Sequence, residues 1–169
     1  MARFTAPKAK PESSYGLAAD HPSAVEGRTR FPGQVIGAMA SARFLVSGVN
    51  NAKIGAMVTK GPWKGMPVYT LTLEERRTCP RSCAQWLDCY GNAMHWSPRR
   101  DAFDEDFLAV LAAEVITVSR LHPAGFVVRL HVLGDFYSAR YVLAWAHLLE
   151  MLPNLHVYGY TARRVDRDD

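Results

Sequence analysis

The stretch FVVRLHVLGDFYSARYVLAWAHLLEMLPNLHVYGYT, residues 126–161, decides the fold class. Its beginning is rich in β-branched side chains and predicts a strand over 126–134, and LHVYGYT predicts another over 155–161. Between them, apolar residues recur at helical spacing up to Leu152, with Ser138 as the N-cap and Pro153 as the stop. The order strand, helix, strand predicts two parallel neighbouring strands joined by a right-handed crossover.

The residues upstream predict a further strand and helix of the same sheet. Residues 54–59 and 68–73 predict two short strands around a hairpin-like turn at KGPWKG, and the second strand leads into TCPRSCAQWLDCYG. A helix is predicted over 104–121, with Asp104 as its N-cap. Because active groups lie at the C-terminal ends of parallel strands, we expect the cysteine segment and GDFYS at one edge of the sheet.

The predicted fold class is therefore α/β, either part of a (βα) barrel or a small parallel sheet with a βαβ unit. Residues 1–34 are rich in Pro, Ser, Gly, Ala and charge without a sustained period, which predicts a flexible arm before a single domain over 35–169. A full eight-stranded barrel takes about 200–250 residues or more, and this chain has 169. We therefore expect the domain to be truncated at its C-terminal end.

The composition is that of a globular protein, with 49% hydrophobic and 21% charged residues. No apolar run approaches the roughly 20 residues that cross a bilayer, and the N-terminus lacks the apolar segment of a secretory signal. An odd number of cysteines in an unexported chain argues against a disulfide framework. These features predict a cytoplasmic protein with reduced thiols and no membrane partner. The net charge of +4 is compatible with a nucleic acid or nucleotide partner.

All three cysteines of the chain, Cys79, Cys83 and Cys89, lie in one segment with the spacing C-x3-C-x5-C. Thiolates are suited to zinc and to iron–sulfur clusters, and a segment containing glycine and proline can fold three of them around one centre. This clustering favours metal binding over three thiols packed as small hydrophobes. A redox dithiol is less favoured because the chain has no C-x-x-C pair.

The fourth ligand decides the chemistry of such a site. His95 follows Cys89 closely, and a Cys3His zinc site would be closed and structural. Trp86, Tyr90 and Trp96 would then offer faces on which nucleic acid bases stack. Alternatively, the fourth position stays open on a 4Fe–4S cluster, where a small molecule binds the remaining iron. The sequence is compatible with both arrangements.

A second group of candidate residues lies in RLHVLGD. In a strand, Arg129 and His131 share one face, and the period of two continues to Asp135 just beyond the strand. These polar side chains predict a face that lines a cavity, and the alternative is a solvent-exposed edge strand. Asp135 is a candidate for catalysis or cofactor contact, and the alternative is a charge that stabilises a helix N-terminus. Gly134 allows a close approach of the backbone.

Two pairs of arginines are candidates for binding phosphate or another polyanion. Arg99 and Arg100 precede the helix predicted over 104–121, and Arg163 and Arg164 follow the last predicted strand. Arginine binds phosphate and carboxylate through paired hydrogen bonds. The alternative at both places is a solvent-exposed basic segment.

The motifs NNAKIGAM, YTLTLEERRTCPRSCAQWLDCYG, RLHVLGDFYSARYVLAW and VYGYTARR, taken in this order, resemble the phage-associated gene product 88 family. Its members share a strand leading into TCP, a cysteine loop ending in CY, an H-V-x-G-D-F motif and a strand ending in YT. The resemblance covers about residues 50–164. It implies this order of elements and a chain that continues beyond Asp169.

A looser likeness is to radical S-adenosylmethionine enzymes. In these enzymes a three-cysteine loop follows the first barrel strand, and a glycine–acidic motif follows the second. The likeness implies a 4Fe–4S cluster on the three cysteines, with S-adenosylmethionine bound near Tyr90, Gly134 and Asp135. The usual loop is C-x3-C-x2-C, and this chain departs from it in the second gap.

The leading hypothesis from the sequence is an iron–sulfur enzyme similar to the radical S-adenosylmethionine type. Its catalytic candidates are Arg129, His131 and Asp135, and its substrate is a nucleic-acid base or a nucleotide. The first alternative is a zinc-stabilised nucleic-acid-binding module in which the three cysteines and His95 are the metal ligands. The second alternative is a truncated, inactive remnant.

Overall fold

The computed structural model of the chain describes residues 15–41, 43–51 and 53–164. The α-helices in this part are α1 (Pro22–Glu26), α2 (Phe107–Leu121) and α3 (Ala139–Met151). The strands are β1 (Val35–Ile36), β2 (Val46–Ser47), β3 (Val68–Thr70), β4 (Arg99–Arg100), β5 (Phe126–Leu130) and β6 (Leu155–Gly159). Short 3-10 helices lie at Pro32–Gln34, Gly48–Asn50 and Tyr90–Ala93. Among these described helices, none has the length and apolar character needed to span a bilayer.

Four of the strands form one sheet in the order β2-β3-β5-β6. β2 is antiparallel to β3, whereas β3, β5 and β6 run parallel. In this register Arg129 of β5 lies between Thr70 of β3 and Tyr158 of β6. β1 and β4 pair as a separate parallel sheet. The predicted βαβ unit is confirmed as β5-α3-β6, and β3-α2-β5 forms a second unit of the same kind.

The strand order explains why both long helices pack on one face of the sheet. Since β3, β5 and β6 are neighbours in chain order, successive right-handed crossovers place α2 and α3 on the same side. The core lies between these helices and the sheet, and it includes Phe107, Leu111, Phe126 and Tyr141. The described strands do not close into a barrel. The predicted α/β class is confirmed, as a small mixed sheet covered by helices on one face.

The face of the sheet away from α2 and α3 carries part of the candidate site. Side chains alternate between the two faces along a strand. Phe126, Val128 and Leu130 of β5 belong to the core, so Val127 and Arg129 lie on the opposite face. The segment before β3 covers part of this face, where the ring of Trp63 stacks on that of His156 with centroids 5.1 Å apart. Arg129 therefore reaches the C-terminal edge of the sheet outside the helix-packed core.

One of the two predicted helix starts is confirmed. α3 begins after Ser138, whose Oγ accepts a hydrogen bond from the N–H of Tyr141 at 3.2 Å. The prediction that Asp104 caps α2 is wrong, because α2 begins after Asp106. Asp104 Oδ2 instead accepts a hydrogen bond from the N–H of Ala38 at 2.8 Å. Its Oδ1 accepts a hydrogen bond from the N–H of Asp106 at 3.0 Å, so the carboxylate joins the approach to α2 to the residues after β1.

The strands are shorter than the sequence predicted. The strands expected over 68–73, 126–134 and 155–161 end at Thr70, Leu130 and Gly159. The strand expected over 54–59 is absent from the described part, and only an isolated bridge joins Met57 to Pro67. The hairpin-like turn is present nevertheless, because the N–H of Val58 donates to the carbonyl of Met66 at 2.9 Å.

Residues 15–34 lie against the segment that carries the cysteines. Ser23 and Thr29 are buried. The N–H of Leu17 donates to the carbonyl of Leu87 at 3.0 Å, and Arg28 forms an ion pair with Glu74 at 2.6 Å. Residues 1–14 of the predicted arm lie outside the described residues.

Candidate functional site

A pocket of about 290 Å³ lies at the C-terminal edge of the parallel strands. Three segments line it: one after β3, one at the end of β5 and beyond, and one after β6. Its residues are Cys79, Cys83, Gln85, Cys89, Tyr90, Arg129, His131, Val132, Leu133, Gly134, Asp135, Tyr160, Thr161 and Ala162. Because α/β sheets place their ligand sites at this edge, the pocket is the candidate functional site.

The pocket brings together residues that are far apart in the sequence. The three cysteines line it beside Tyr90, Gly134 and Asp135, and Arg129 and His131 come from the end of β5. The expectation that the cysteine segment and the GD motif lie on the same side of the sheet agrees with this arrangement. The chemical roles assigned to these residues from the sequence stay predictions.

His95, the candidate fourth metal ligand, is not among the residues that line the pocket. Its side chain is exposed, and its ring packs edge-on against Phe31 with centroids 4.8 Å apart. The pocket is therefore built without His95.

The three thiols are free and partly buried. Burial, with a smaller contribution from neighbouring Cys83, Cys89 and Asp135, raises the pKa of Cys79 to about 12. Burial also raises the pKa of Cys89. In the part of the chain that the structure describes, no group of three or more His, Cys, Asp or Glu side chains is gathered around a metal position. Metal binding would therefore have to remove thiol protons and draw the sulfurs together.

A buried ion pair fixes the segment that carries the cysteines. Nε and Nη2 of Arg99 donate to the two carboxylate oxygens of Glu75 at 2.7 and 3.0 Å, and neither side chain is more than 1% exposed. Nη2 of Arg99 also donates to the carbonyl of Gly91 at 3.0 Å, and Nη1 donates to those of Met94 and Ser97. The pair therefore ties β4 to both ends of the cysteine segment.

The predictions for Arg99 and Arg100 are wrong. Both side chains are buried, with Arg100 only 6% exposed. Arg100 Nη2 donates to the carbonyl of Arg43 at 2.5 Å, and its guanidinium lies 5.7 Å from the centroid of the Phe44 ring. Because these guanidinium groups are bound inside the protein, they form neither a polyanion site nor a solvent-exposed segment.

A second buried group braces the cysteine segment from within. Arg76 Nη2 donates to Asn92 Oδ1 at 2.5 Å, and Arg76 Nε donates to the carbonyl of Trp86 at 3.0 Å. Asn92 Nδ2 in turn donates to the carbonyls of Leu87 and Tyr15 at 2.9 and 2.7 Å. These bonds cross the segment between its first and last cysteines and fix its path.

Asp135 joins all three segments around the pocket. It is 2% exposed, and its two carboxylate oxygens accept hydrogen bonds from the N–H groups of Phe136 and Ala162, each at 2.7 Å. Its own N–H donates to Thr78 Oγ1 at 3.2 Å. Asp135 therefore acts as a positioning residue at the sheet edge, a role that its place in the sequence did not indicate. Its catalytic role stays a prediction.

His131 contacts the helix layer as well as the pocket. The strand ends at Leu130, so the period of two that was predicted to place His131 beside Arg129 stops before it. Its ring Nε2 lies 2.8 Å from the hydroxyl oxygen of Tyr141 in α3. Burial lowers the pKa of His131 to about 4, so the ring is neutral at pH 7. A catalytic role for His131 would have to use the neutral imidazole.

Comparison with models of known protein families shows which family the chain belongs to. The family model for gene product 88 matches residues 44–168, which is well over half of the sequence. The chain belongs to the gene product 88 family. No curated protein and no solved structure matches it. The looser likeness to radical S-adenosylmethionine enzymes receives no support from these comparisons.

The region that this gene product 88 chain shares with its family contains the whole pocket. The match spans the four-stranded sheet, both long helices and every residue that lines the pocket. The Glu75–Arg99 pair and Asp135 also lie inside it, whereas α1 lies outside. The candidate site therefore belongs to the part of the chain that defines its family.

Three residues that support the pocket, Glu75, Arg76 and Thr78, were not predicted from the sequence. The available signal was the run LEERRT, in which four charged residues stand directly between an apolar strand and the cysteine segment. Charges so close to a buried strand must be paired or solvated, and here most of them are paired.

Replacing Asp135 with asparagine should loosen the edge of the pocket. An asparagine side chain has one acceptor oxygen, so either Phe136 or Ala162 is left with an unpaired backbone N–H. We expect a loss of about 1–3 kcal/mol in the free energy of unfolding and faster amide hydrogen exchange at these two residues. Asp106→Asn is the matched control, since Asp106 is exposed and makes no side-chain cap bond. Equal exchange in both variants would contradict the positioning role.

Proposed function

We propose that this gene product 88 protein is a metal-dependent enzyme whose Cys79, Cys83 and Cys89 bind an iron–sulfur cluster of the 4Fe–4S type. The observation that carries the proposal is that all three cysteines line one pocket with Arg129, whereas His95 lies outside it. Three thiolates leave one iron of such a cluster without a protein ligand. The pocket would give that iron access to a small molecule.

The donor set fits a cluster better than a single zinc ion. A closed zinc site needs four ligands at about 2.0–2.3 Å from one point, and the fourth candidate, His95, packs on Phe31. A cluster distributes its thiolates over different irons, so its cysteines need not meet at one point. The three thiols lining one wall of a pocket support the second arrangement.

The remaining residues of the pocket would bind and orient the reactants. A cluster with an open iron supplies one-electron chemistry, and S-adenosylmethionine is the proposed cofactor for that position. Arg129 offers a positive charge and Tyr90 an aromatic ring at the pocket wall. The Nδ1 atom of neutral His131 can form one hydrogen bond with a ligand, because it has no partner among the described residues. A nucleotide or nucleic-acid base is the proposed substrate class.

A zinc-stabilised nucleic-acid-binding module is the competing proposal, and the contacts of Trp86 and of His95 argue against it. Trp86 donates from Nε1 to the carbonyl of Ala24 at 3.1 Å, and Arg81 lies over its ring at 4.8 Å. The Trp86 side chain is therefore bound by other residues of the chain and is not free to stack on a base. Trp96 is 88% exposed, but it follows the exposed His95 and does not line the pocket.

Anaerobic reconstitution with iron and sulfide should give a brown protein with about four irons per chain. Single substitutions Cys79→Ser, Cys83→Ser and Cys89→Ser should each reduce iron and acid-labile sulfide to a small fraction of the wild-type content, because each removes one of three ligands. His95→Ala should load like the wild type. Circular dichroism of the unloaded variants checks that they are folded.

Two results would overturn the proposal. A colourless protein that retains one zinc, and loses it in His95→Ala, would establish the closed zinc site. Background metal content in the wild type after reconstitution with iron and with zinc would refute metal binding. That second result would leave the inactive remnant as the explanation for the cysteines.

A further inference from the structure

We infer that Arg129 makes this pocket a binding site for the carboxylate or phosphate group of a small molecule. The inference rests on the proposed function for its choice of pocket, and it adds the chemical class of the ligand. It is carried by a guanidinium that reaches the pocket without an anionic partner.

Arg129 is placed at the pocket by the sheet itself. It lies in the middle strand of the three parallel ones, with Thr70 and Tyr158 opposite it on either side. It stands one residue before the end of β5, on the face away from the helices. The two flanking strands fix the backbone position of Arg129, and sites built on strands hold ligand contacts more precisely than sites on loops.

The guanidinium of Arg129 has no hydrogen-bond or ion-pair partner among the described residues. Its Nε is buried and makes no hydrogen bond, and none of the ion pairs in the described ranges includes it. Arg99 shows the contrast, because its guanidinium is bound by Glu75 and by three backbone carbonyls. Arg129 as a whole is partly exposed, but its buried Nε is a donor without an acceptor, which is unfavourable. An anion entering the pocket would supply that acceptor.

The carboxylate within the pocket is directed elsewhere. Asp135 is the acidic residue that lines it, and both of its oxygens accept hydrogen bonds from backbone N–H groups, at Phe136 and Ala162. These bonds hold the carboxylate toward the segment after β6. Asp135 therefore forms no ion pair with Arg129, and the guanidinium remains available to a ligand.

The size and remaining walls of the pocket restrict the ligand. A volume of about 290 Å³ suits a small metabolite. Tyr90 and Tyr160 line the same pocket and are both partly exposed, so their rings can contact an aromatic or apolar body. The anion would come either from the carboxylate of an amino-acid-like cofactor or from the phosphate of a nucleotide.

Calorimetric titration of the reduced, metal-free full chain tests the inference. The probes are S-adenosylmethionine, which carries a carboxylate, AMP, which carries a phosphate, and adenosine, which carries neither. We expect at least one of the two anionic probes to bind more tightly than adenosine. Arg129→Met should weaken the binding of that probe by about 10- to 100-fold, the range for a hydrogen bond to a charged group. The affinity for adenosine should stay unchanged. Arg129→Lys, which keeps the charge, should retain part of the affinity.

The controls separate this inference from the proposed function. Arg140→Met removes the same charge from an exposed position of α3 and should leave all three probes unaffected. Weaker binding of adenosine and of the anions to the same degree in Arg129→Met would overturn the inference, as would equal affinity of the wild type for all three. If Arg129→Met instead abolishes cluster loading and leaves anion binding intact, Arg129 supports the cluster and not the anion. That result would refute this inference and leave the proposed function standing. Anion binding without cluster loading in the wild type would refute only the proposed function.

Discussion

Replacing Arg99 with methionine should lower the free energy of unfolding by about 3–5 kcal/mol, the range for breaking a buried ion pair from one side. The variant leaves the Glu75 carboxylate buried and opposite an apolar side chain. It also removes the donors to the carbonyls of Gly91, Met94 and Ser97. Urea unfolding followed by tryptophan fluorescence measures the change.

A second substitution shows that charge is the cause. Glu75→Gln combined with Arg99→Met removes the stranded carboxylate, so the double variant should be more stable than Arg99→Met alone. Arg140→Met is the control, since Arg140 is exposed on α3 and takes part in none of the ion pairs of the described residues. Its expected effect is within about 0.5 kcal/mol of the wild type. A loss below about 1 kcal/mol in Arg99→Met, or no recovery in the double variant, would contradict a dominant role for this pair.

The buried pair also explains why stability and the pocket are linked. Arg99 binds the carbonyl of Gly91, two residues after Cys89, and Glu75 accepts a hydrogen bond from Thr29 Oγ1 at 2.7 Å. The segment bearing the thiols is therefore held between β4 and the residues around α1. Because of this, Arg99→Met should reduce iron loading even under conditions in which the variant is still folded.

The sequence predicted those parts of the fold that depend on local pattern. The period of the apolar residues located α2 and α3, Ser138 marked the start of α3, and the alternation of strands and helices implied parallel strands. From this topology alone, the cysteines and Asp135 were expected at one edge of the sheet. These inferences succeed because helical period, capping and crossover handedness act over short stretches of chain.

The remaining parts depend on partners that are distant in the sequence. Asp104 Oδ2 accepts a hydrogen bond from the N–H of Ala38, 66 residues away, and Arg99 is paired with Glu75, 24 residues away. Neither pairing leaves a local pattern in the sequence. Basic residues before a helix are usually exposed, so the burial of Arg99 contradicts the expectation from composition. The positioning role of Asp135 was hidden for the same reason, because Ala162 is 27 residues distant.

Replacing Gly134 with alanine should cost about 2–5 kcal/mol of stability and disrupt the pocket. The backbone of Gly134 has φ of +87°, where an alanine costs about 1–2 kcal/mol. Its added Cβ would also lie 2.6 Å from both Leu73 Cβ and Thr78 Oγ1, and overpacking of this kind costs about 1–3 kcal/mol more. Since Thr78 binds the N–H of Asp135, we expect both urea unfolding and cluster loading to be affected.

A second glycine separates the two causes. Gly61 has φ of +80° and no neighbouring atom within 4 Å of an added Cβ, so Gly61→Ala bears the backbone strain of about 1–2 kcal/mol without the clash. Gly33 has neither feature, and Gly33→Ala should stay within about 0.5 kcal/mol of the wild type. Gly134→Ala should therefore exceed Gly61→Ala in lost stability, and iron loading should fall in Gly134→Ala alone. Equal losses of stability at Gly134 and Gly61 would mean that Leu73 and Thr78 move aside freely. The close contact of Gly134 with these two residues would then not position the pocket.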